Sequence, residues 1–298
     1  MPSFDDLKPF LVLGLALGGV FAMSGVGLVV LYRATGVLNL AYGAIGATGA
    51  LISWSLLGGT NRWIAYAACI AFSGAVTLLY GVVFGPPFAA RDPLVKATAS
   101  IGLLLILLGV SLWVWPPSTT RNYTLPTRLW QYQLGDDVRV NWTQILGVLF
   151  PIVVTAGSAV FLRVTKVGTA MRALANDREI TAMLGVPVRR VEAAAWLGSG
   201  IVCGISGLLL GDLVGLDPVG VTFLVIPALA AALIGQLESL WITLAAGFVI
   251  GIVQSCLNAF TDVHIGDQTL AEFRNITPFV LAIIALLWYA RKRPLVRT

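Results

Sequence analysis

Few of the 298 side chains are equipped for acid–base, nucleophilic or metal chemistry. The sole histidine, His264, stands between Asp262 and Asp267; such a trio could gather a metal, but three ligands from one short loop make a poor cage, and a solvated surface histidine is the preferred reading. Asp212 lies in an apolar run five residues before Asp217. A carboxylate in such a run ordinarily marks a functional site, whereas a place near its end would let water hydrate it. Asn39 and Tyr42 fall in another apolar run, where polar groups must pair across helices or line a wet path. Cys69, Cys203 and Cys256 show no CxxC spacing and read as inert buried thiols. No G-x-S-x-G, H-E-x-x-H or G-x-x-x-x-G-K-[ST] pattern occurs, so hydrolase, zinc-protease and phosphate-loop chemistry lack their usual carriers.

The richest polar stretch is Arg163–Glu192. Within it Met171, Leu174, Ala175, Ile180, Ala182, Met183 and Leu184 are apolar or small, while Arg172, Asn176, Asp177, Arg178 and Glu179 are polar, which predicts a short amphipathic helix. Asn176 or Asp177 can cap it, and Gly185 followed by Pro187 ends it. Such a helix either lies at a bilayer surface with its basic residues toward lipid phosphates or docks into a groove on a partner.

The elements that carry these residues belong in a bilayer. The chain is 58% hydrophobic and 11% charged, where soluble domains hold about 25% charge. Apolar runs predict spans at Pro9–Leu31, Thr35–Leu57, Trp63–Phe84, Ala97–Trp115, Gln144–Leu162, Ala193–Leu216, Val219–Gly235, Ser239–Leu257 and Ile276–Ala290. The expected fold is therefore all-α: a polytopic integral membrane bundle of about 8–10 transmembrane helices forming a single domain over residues 1–298. Met1–Lys8 carries Asp5 and Asp6 rather than a basic leader, so the first run is expected to stay as a span.

The net charge of +5 reports topology rather than a nucleic-acid partner, because Lys and Arg concentrate in Arg163–Arg190 and Arg291–Arg297. Placing 163–192 inside puts Arg33, Arg91–Lys96, Gln236–Glu238 and the basic tail inside too. Residues 116–143 then form an extracytoplasmic loop, despite Arg121, Arg128 and Arg139, flanked by the interfacial aromatics Trp113, Trp115, Trp130 and Trp142.

Glycines recur at four-residue spacing, as in Gly14 and Gly18, Gly200 and Gly204, Gly207, Gly211 and Gly215, and Gly247 and Gly251, which predicts close helix crossings. Gly36–Leu79 and Gly220–Leu257 share a pattern of short interrupted span, break, then smooth span; by the orientation above they form a possible inverted repeat.

Three stretches carry a resemblance. Gly168-x-Ala-x-Arg-Ala-x-Ala-Asn followed by Ala182-x-x-Gly185-Val, Gly36-Val-Leu-Asn-Leu-Ala-Tyr-Gly43, and Ala230-Ala-Ala-Leu-Ile-Gly-Gln-Leu-Glu-Ser239 together resemble permease subunits of branched-chain amino acid ABC importers of the LivH/LivM type. The resemblance implies a short cytoplasmic coupling helix, with Arg172, Asn176, Asp177 and Glu179 as the surface that meets an ATPase and Gly185 as its end. Along the translocation pathway of such a permease, Asn39, Tyr42 and Asp212, polar residues of the apolar runs, are the residues expected. The resemblance also implies two cytoplasmic ATPase subunits that bind the ATP, a second permease chain, an extracytoplasmic solute-binding protein, and no cofactor in this chain. The implied activity is alternating-access import, with no enzyme chemistry of its own, of branched-chain or other hydrophobic amino acids; urea or short amides are alternatives. The implied place is a bacterial inner membrane. This sequence departs from the pattern at Tyr42, where relatives often carry His, at Gln236-Leu237-Glu238, in place of a Gly-rich turn, and at Asp212, where many carry a neutral polar residue. A self-sufficient channel or ion-coupled carrier is the rival of another class, but its usual buried charges are nearly missing from the spans.

Overall fold

In water the exposed apolar surface of these helices would be prohibitive; in lipid it is the solvent-facing side. The computed structural model describes residues 4–88, 91–116, 121, 123–134, 138–260, 264–265, 268–269 and 276–292. In chain order it begins with α1 (Phe4–Thr35), α2 (Tyr42–Leu56), α3 (Arg62–Phe88) and α4 (Pro93–Val114). A loop with the hairpin β1 (Gln131–Leu134) and β2 (Val138–Asn141) leads to α5 (Trp142–Val164). Next come α6 (Lys166–Asn176), α7 (Arg178–Met183) and α8 (Val188–Val214). The chain continues through α9 (Pro218–Phe223), α10 (Val225–Ile234) and α11 (Leu240–Leu257). A small hairpin, β3 (His264–Ile265) with β4 (Gln268–Thr269), precedes α12 (Thr277–Lys292). Among the described residues six helices, α1, α3, α4, α5, α8 and α11, are long and apolar enough to cross a membrane. Asp262, Asp267, Arg293 and Arg297 lie outside the described residues.

Two expected spans are broken. The run Thr35–Leu57 becomes helical again only at Tyr42, because Gly36 turns the chain at φ +65° and the Asn39 side chain takes the Ala41 N–H at 3.1 Å. Ser100 of α4 donates to Leu38 O at 3.2 Å and accepts from Leu40 N at 3.1 Å, satisfying the backbone that the break frees. The run Val219–Gly235 is two helices. Pro227 has no N–H to return to the carbonyl of Phe223, where α9 ends. The expected span Ala193–Leu216 starts earlier, at Val188, and stops at Val214, where Gly215 takes φ +95°.

Glycine seams set the packing. Gly14 and Gly18 of α1 lie against the backbone of Gly251, Ile252, Gly247 and Phe248 in α11, so close that an added Cβ at Gly14 would come within 2.8 Å of Ile252 Cα. Gly200 and Gly204 of α8 face Ser73, Gly74, Cys69 and Ile70 of α3 in the same way. Both crossings run antiparallel. The hairpin α2–α3 thus rests on α8, and the hairpin α10–α11 rests on α1. In turn α1 and α8 cross in opposite senses, Gly27 beside Val202 and Val30 sharing a cavity with Ala195 and Ser199. Equivalent pieces therefore occupy equivalent, inverted places, each hairpin docked on the opening helix of the other half.

The polar segments sort to two ends. Arg33, Arg163, Arg172 and Glu238 gather at one, the basic end; Asn61, Arg62, Thr124, Leu125 and Asp212 gather at the other. Arg121 and residues 123–134 are not a free loop: Tyr123, Leu125 and Arg121 are buried, and the Arg121 guanidinium lies 5.6 Å from the Trp54 ring.

Candidate functional site

The two broken helices meet at the centre. The start of α2 (Tyr42, Gly43, Gly46, Ala47) and the α9–α10 break (Val221, Leu224, Val225) enclose a small void with Ser24 of α1 and Cys203, Ser206, Gly207 and Leu210 of α8. Its volume is about 10 Å³, the room one water needs (~10–15 Å³). Glycine makes the closure possible: a Cβ on Gly43 would overlap Thr222 O at 2.0 Å, and one on Gly207 would overlap Gly46 O at 2.3 Å. Discontinuous helices at matching places in two inverted halves are the geometry in which transporters hold a solute.

Tyr42 is 2% exposed, and its hydroxyl sits with those of Ser24 and Ser206 on the lining of the void. Gly27 leaves room for that hydroxyl, since a Cβ there would stand 2.7 Å from it. Cys203 Sγ donates to Tyr42 O at 2.9 Å and fixes the first turn of α2 to α8. Asn39 is as buried: its Oδ1 holds the turn before α2, while its Nδ2 is unpaired. Cys203 was read from sequence only as an inert thiol, and Ser24 and Ser206 were not singled out, because nothing local distinguishes a cavity-facing serine from one that returns its proton to its own helix, as Ser206 does to Val202 O at 2.8 Å. Of the thiols, Cys69 and Cys203 are buried but Cys256 is only half-buried.

Asp212 corrects the expectation of a hydrated carboxylate. It is 2% exposed and accepts the Leu125 N–H at 2.8 Å, while Arg128 donates to its backbone carbonyl at 2.8 Å. The Arg128 guanidinium approaches the carboxylate at 3.9 Å. Asp212 therefore latches residues 123–128 onto the end of α8, and Tyr123 fills the space beside Gly211 and within 3.4 Å of the Ser53 hydroxyl. Burial pushes the Tyr123 phenol up from its ordinary pKa. The strap lies over the end of α8 whose Leu210 lines the void.

At the basic end the amphipathic segment is two helices rather than one. Thr165 caps α6 through the Gly168 N–H at 2.9 Å, and the buried face Gly168, Met171 and Leu174 seats α6 on the bundle. Asp177 breaks the helix and caps α7, its carboxylate accepting the Ile180 N–H at 2.9 Å. Gly185 closes α7 at φ +80°, and Arg178 ties it to Glu192 of α8 at 2.8 Å. Asn176 and Glu179 are exposed; Arg172 lines a cavity with Arg33 and Arg163. The surprise is apolar: Ile180, Met183 and Leu184, at helical spacing, are 53%, 79% and 77% exposed. Sequence reading put its weight on the polar face and missed this knob.

A profile of the family described as "Branched-chain amino acid transport system / permease component" matches residues 10–287. The chain is similar to the high-affinity branched-chain amino acid transport system permease protein BraD of Pseudomonas aeruginosa, 25% identical over 97% of this chain and 95% of that protein. It is also similar to the permease protein LivH of Escherichia coli K12, 23% identical over 92% of this chain and 91% of the relative. The probable branched-chain amino acid transport permease protein LivH of Methanocaldococcus jannaschii is 24% identical, over 90% and 86% respectively.

Proposed function

Because the chain belongs to the family of permease components of branched-chain amino acid transport systems, we propose that it is the membrane pathway of an ATP-driven importer, with separate ATPase subunits supplying the work. The observation that carries this reading is the void between the broken helices α2 and α9–α10. It is far smaller than any amino acid, so the conformer is closed and solute passes only when the two halves part. Alternating access follows, with α1 and α8 rocking on their glycine seams.

Solute class follows from the lining. Leu210, Val221, Leu224, Val225 and Ala47 supply aliphatic walls, and Ser24, Tyr42 and Ser206 supply a few hydroxyls. That mixture suits a branched aliphatic side chain with one polar end better than urea or a short amide, which would leave the walls unused. Of the residues expected along the path, Tyr42 takes the contact role; Asn39 shapes the start of α2, and Asp212 holds the strap over one end.

The basic end faces the cytoplasm in this reading, by the positive-inside rule. There α7 docks in a groove on the ATPase, inserting Ile180, Met183 and Leu184, with Asn176 and Glu179 on the rim and Asp177 and Gly185 giving the knob its shape. The opposite end, with its strap, meets the solute-binding protein, and a second permease chain completes the pathway. The sequence has no phosphate loop, which fits borrowed energy.

The test is uptake by proteoliposomes holding the complete system. Leucine should enter in an ATP-dependent way and urea should not. Tyr42→Phe keeps the ring and should keep the fold, since losing one neutral buried hydrogen bond costs only about 1 kcal/mol, while changing the concentration of leucine that half-saturates transport. Urea uptake at leucine's rate, or leucine uptake by this chain alone, would defeat the reading.

A further inference from the structure

An unassigned cavity of about 400 Å³ lies at the basic end. Three guanidiniums converge on it: Arg33 from the last turn of α1, Arg163 from the last turn of α5 and Arg172 from α6. Arg33 donates to Glu238 O at 3.1 Å. Neither Arg163 nor Arg172 forms an ion pair among the described residues, in contrast to Arg128 and Arg178, which do. Glu238, the one carboxylate on the lining, leaves a net excess of two positive charges. Like charges crowded into one concave space repel unless an anion fills it.

The surroundings say which anion. Trp241, on the lining itself, is 52% exposed, and Phe161 and Val164 of α5 and Ile242 of α11, neighbours in sequence of lining residues, also expose apolar surface. An anion held here would thus have its charge among arginines and whatever hung from it against the hydrocarbon side of two helices. A free phosphate uses only the first half of that arrangement. We propose that this cavity binds the phosphate headgroup of an anionic phospholipid, with its acyl chains lying along α5 and α11. The lipid would bridge α1, α5, α6 and α11, and through α6 it would steady the knob on α7 without touching it.

The full chain, purified in mild detergent, is titrated with phosphatidylglycerol and, separately, with phosphatidylcholine, and bound lipid is counted by native mass spectrometry. One phosphatidylglycerol per chain should be retained and phosphatidylcholine should not. Arg163→Gln with Arg172→Gln should weaken retention about thirtyfold, from the usual contribution of each basic residue to anionic lipid. Glu238→Gln should strengthen it, a gain that no misfolded variant would give. Arg62→Gln, at the opposite end, should change nothing. Equal retention of phosphatidylcholine, unaltered binding by the double variant, or equal weakening by Arg62→Gln would overturn the proposal. Displacement of the lipid by excess inorganic phosphate would overturn it as well, by showing a site for the free anion.

Discussion

If Ile180, Met183 and Leu184 are the surface that grips the ATPase, replacing all three by serine should uncouple the importer while leaving the bundle intact. The size of the effect follows from exposure. Fully burying a side chain of this kind is worth roughly 1.5–3 kcal/mol, and the three are 53%, 79% and 77% exposed before docking. Each therefore stands to gain about 1–2 kcal/mol, and the set about 3–6 kcal/mol. Serine forfeits nearly all of it, which lowers affinity for the ATPase by a factor on the order of a hundred to ten thousand. Folding should be spared, because the contacts that position α7 are elsewhere: the Asp177 cap, the buried Thr181 and the Arg178–Glu192 pair. The assay is twofold, association of purified permease with its ATPase subunits, and ATP hydrolysis with solute uptake in proteoliposomes. Glu179→Gln, altering an exposed charge worth at most about 1 kcal/mol, serves as the small-effect control. Unchanged association and uptake in the triple serine variant would refute the reasoning. So would a Glu179→Gln defect as large as the triple, since it would return the grip to the polar face.

Gly251→Ala should lower the thermal midpoint in detergent, at a cost of about 1–3 kcal/mol, because its Cβ would fall 2.2 Å from Gly18 Cα; Gly58→Ala, which meets open space, is the silent comparison in the same melt. Asp212→Ala should strand the buried Leu125 N–H at about 1–3 kcal/mol, whereas Asp212→Asn keeps an acceptor and should cost less; hydrogen exchange at Leu125 should rise only in the alanine variant. Gln236→Gly should stabilise by about 0.5–1 kcal/mol, since Gln236 holds φ 56° and the left-handed region costs a side chain roughly 1–2 kcal/mol, partly offset by the greater freedom of glycine in the unfolded chain. A destabilised Gln236→Gly protein in the melt would show that its side-chain contacts outweigh the backbone strain.

Hydropathy located the spans because a bilayer-crossing helix announces itself through twenty local residues, with no help from the rest of the chain. Glycine spacing announced close crossings, but only the structure pairs Gly14 and Gly18 with Gly247 and Gly251, a match between distant segments. The α9–α10 break was written in Pro227, yet the residues around it are uniformly apolar and hid it inside a continuous run. Gln236 and Leu237 form a turn with positive φ where the resemblance led us to expect glycine, a conformation that neither residue type announces. Asp212 misled for a different reason: its partner, the Leu125 N–H, belongs to a loop that folds back from 87 residues away. The knob on α7 was legible as an apolar set, but not the side it faces, since the kink at Asp177 rotates α7 away from the face that seats α6.

The exchanged seams bear on how the molecule is made. Since α1 leaves the ribosome well before α11, the bare glycine stripe of α1 must wait in the lipid before its mate arrives. An N-terminal fragment ending after α5 would keep that stripe uncovered for good, and its α3 would lack α8 besides. Neither half can then be a self-contained unit: the two are interlocked like clasped hands, and the polypeptide settles only when its last third has been inserted.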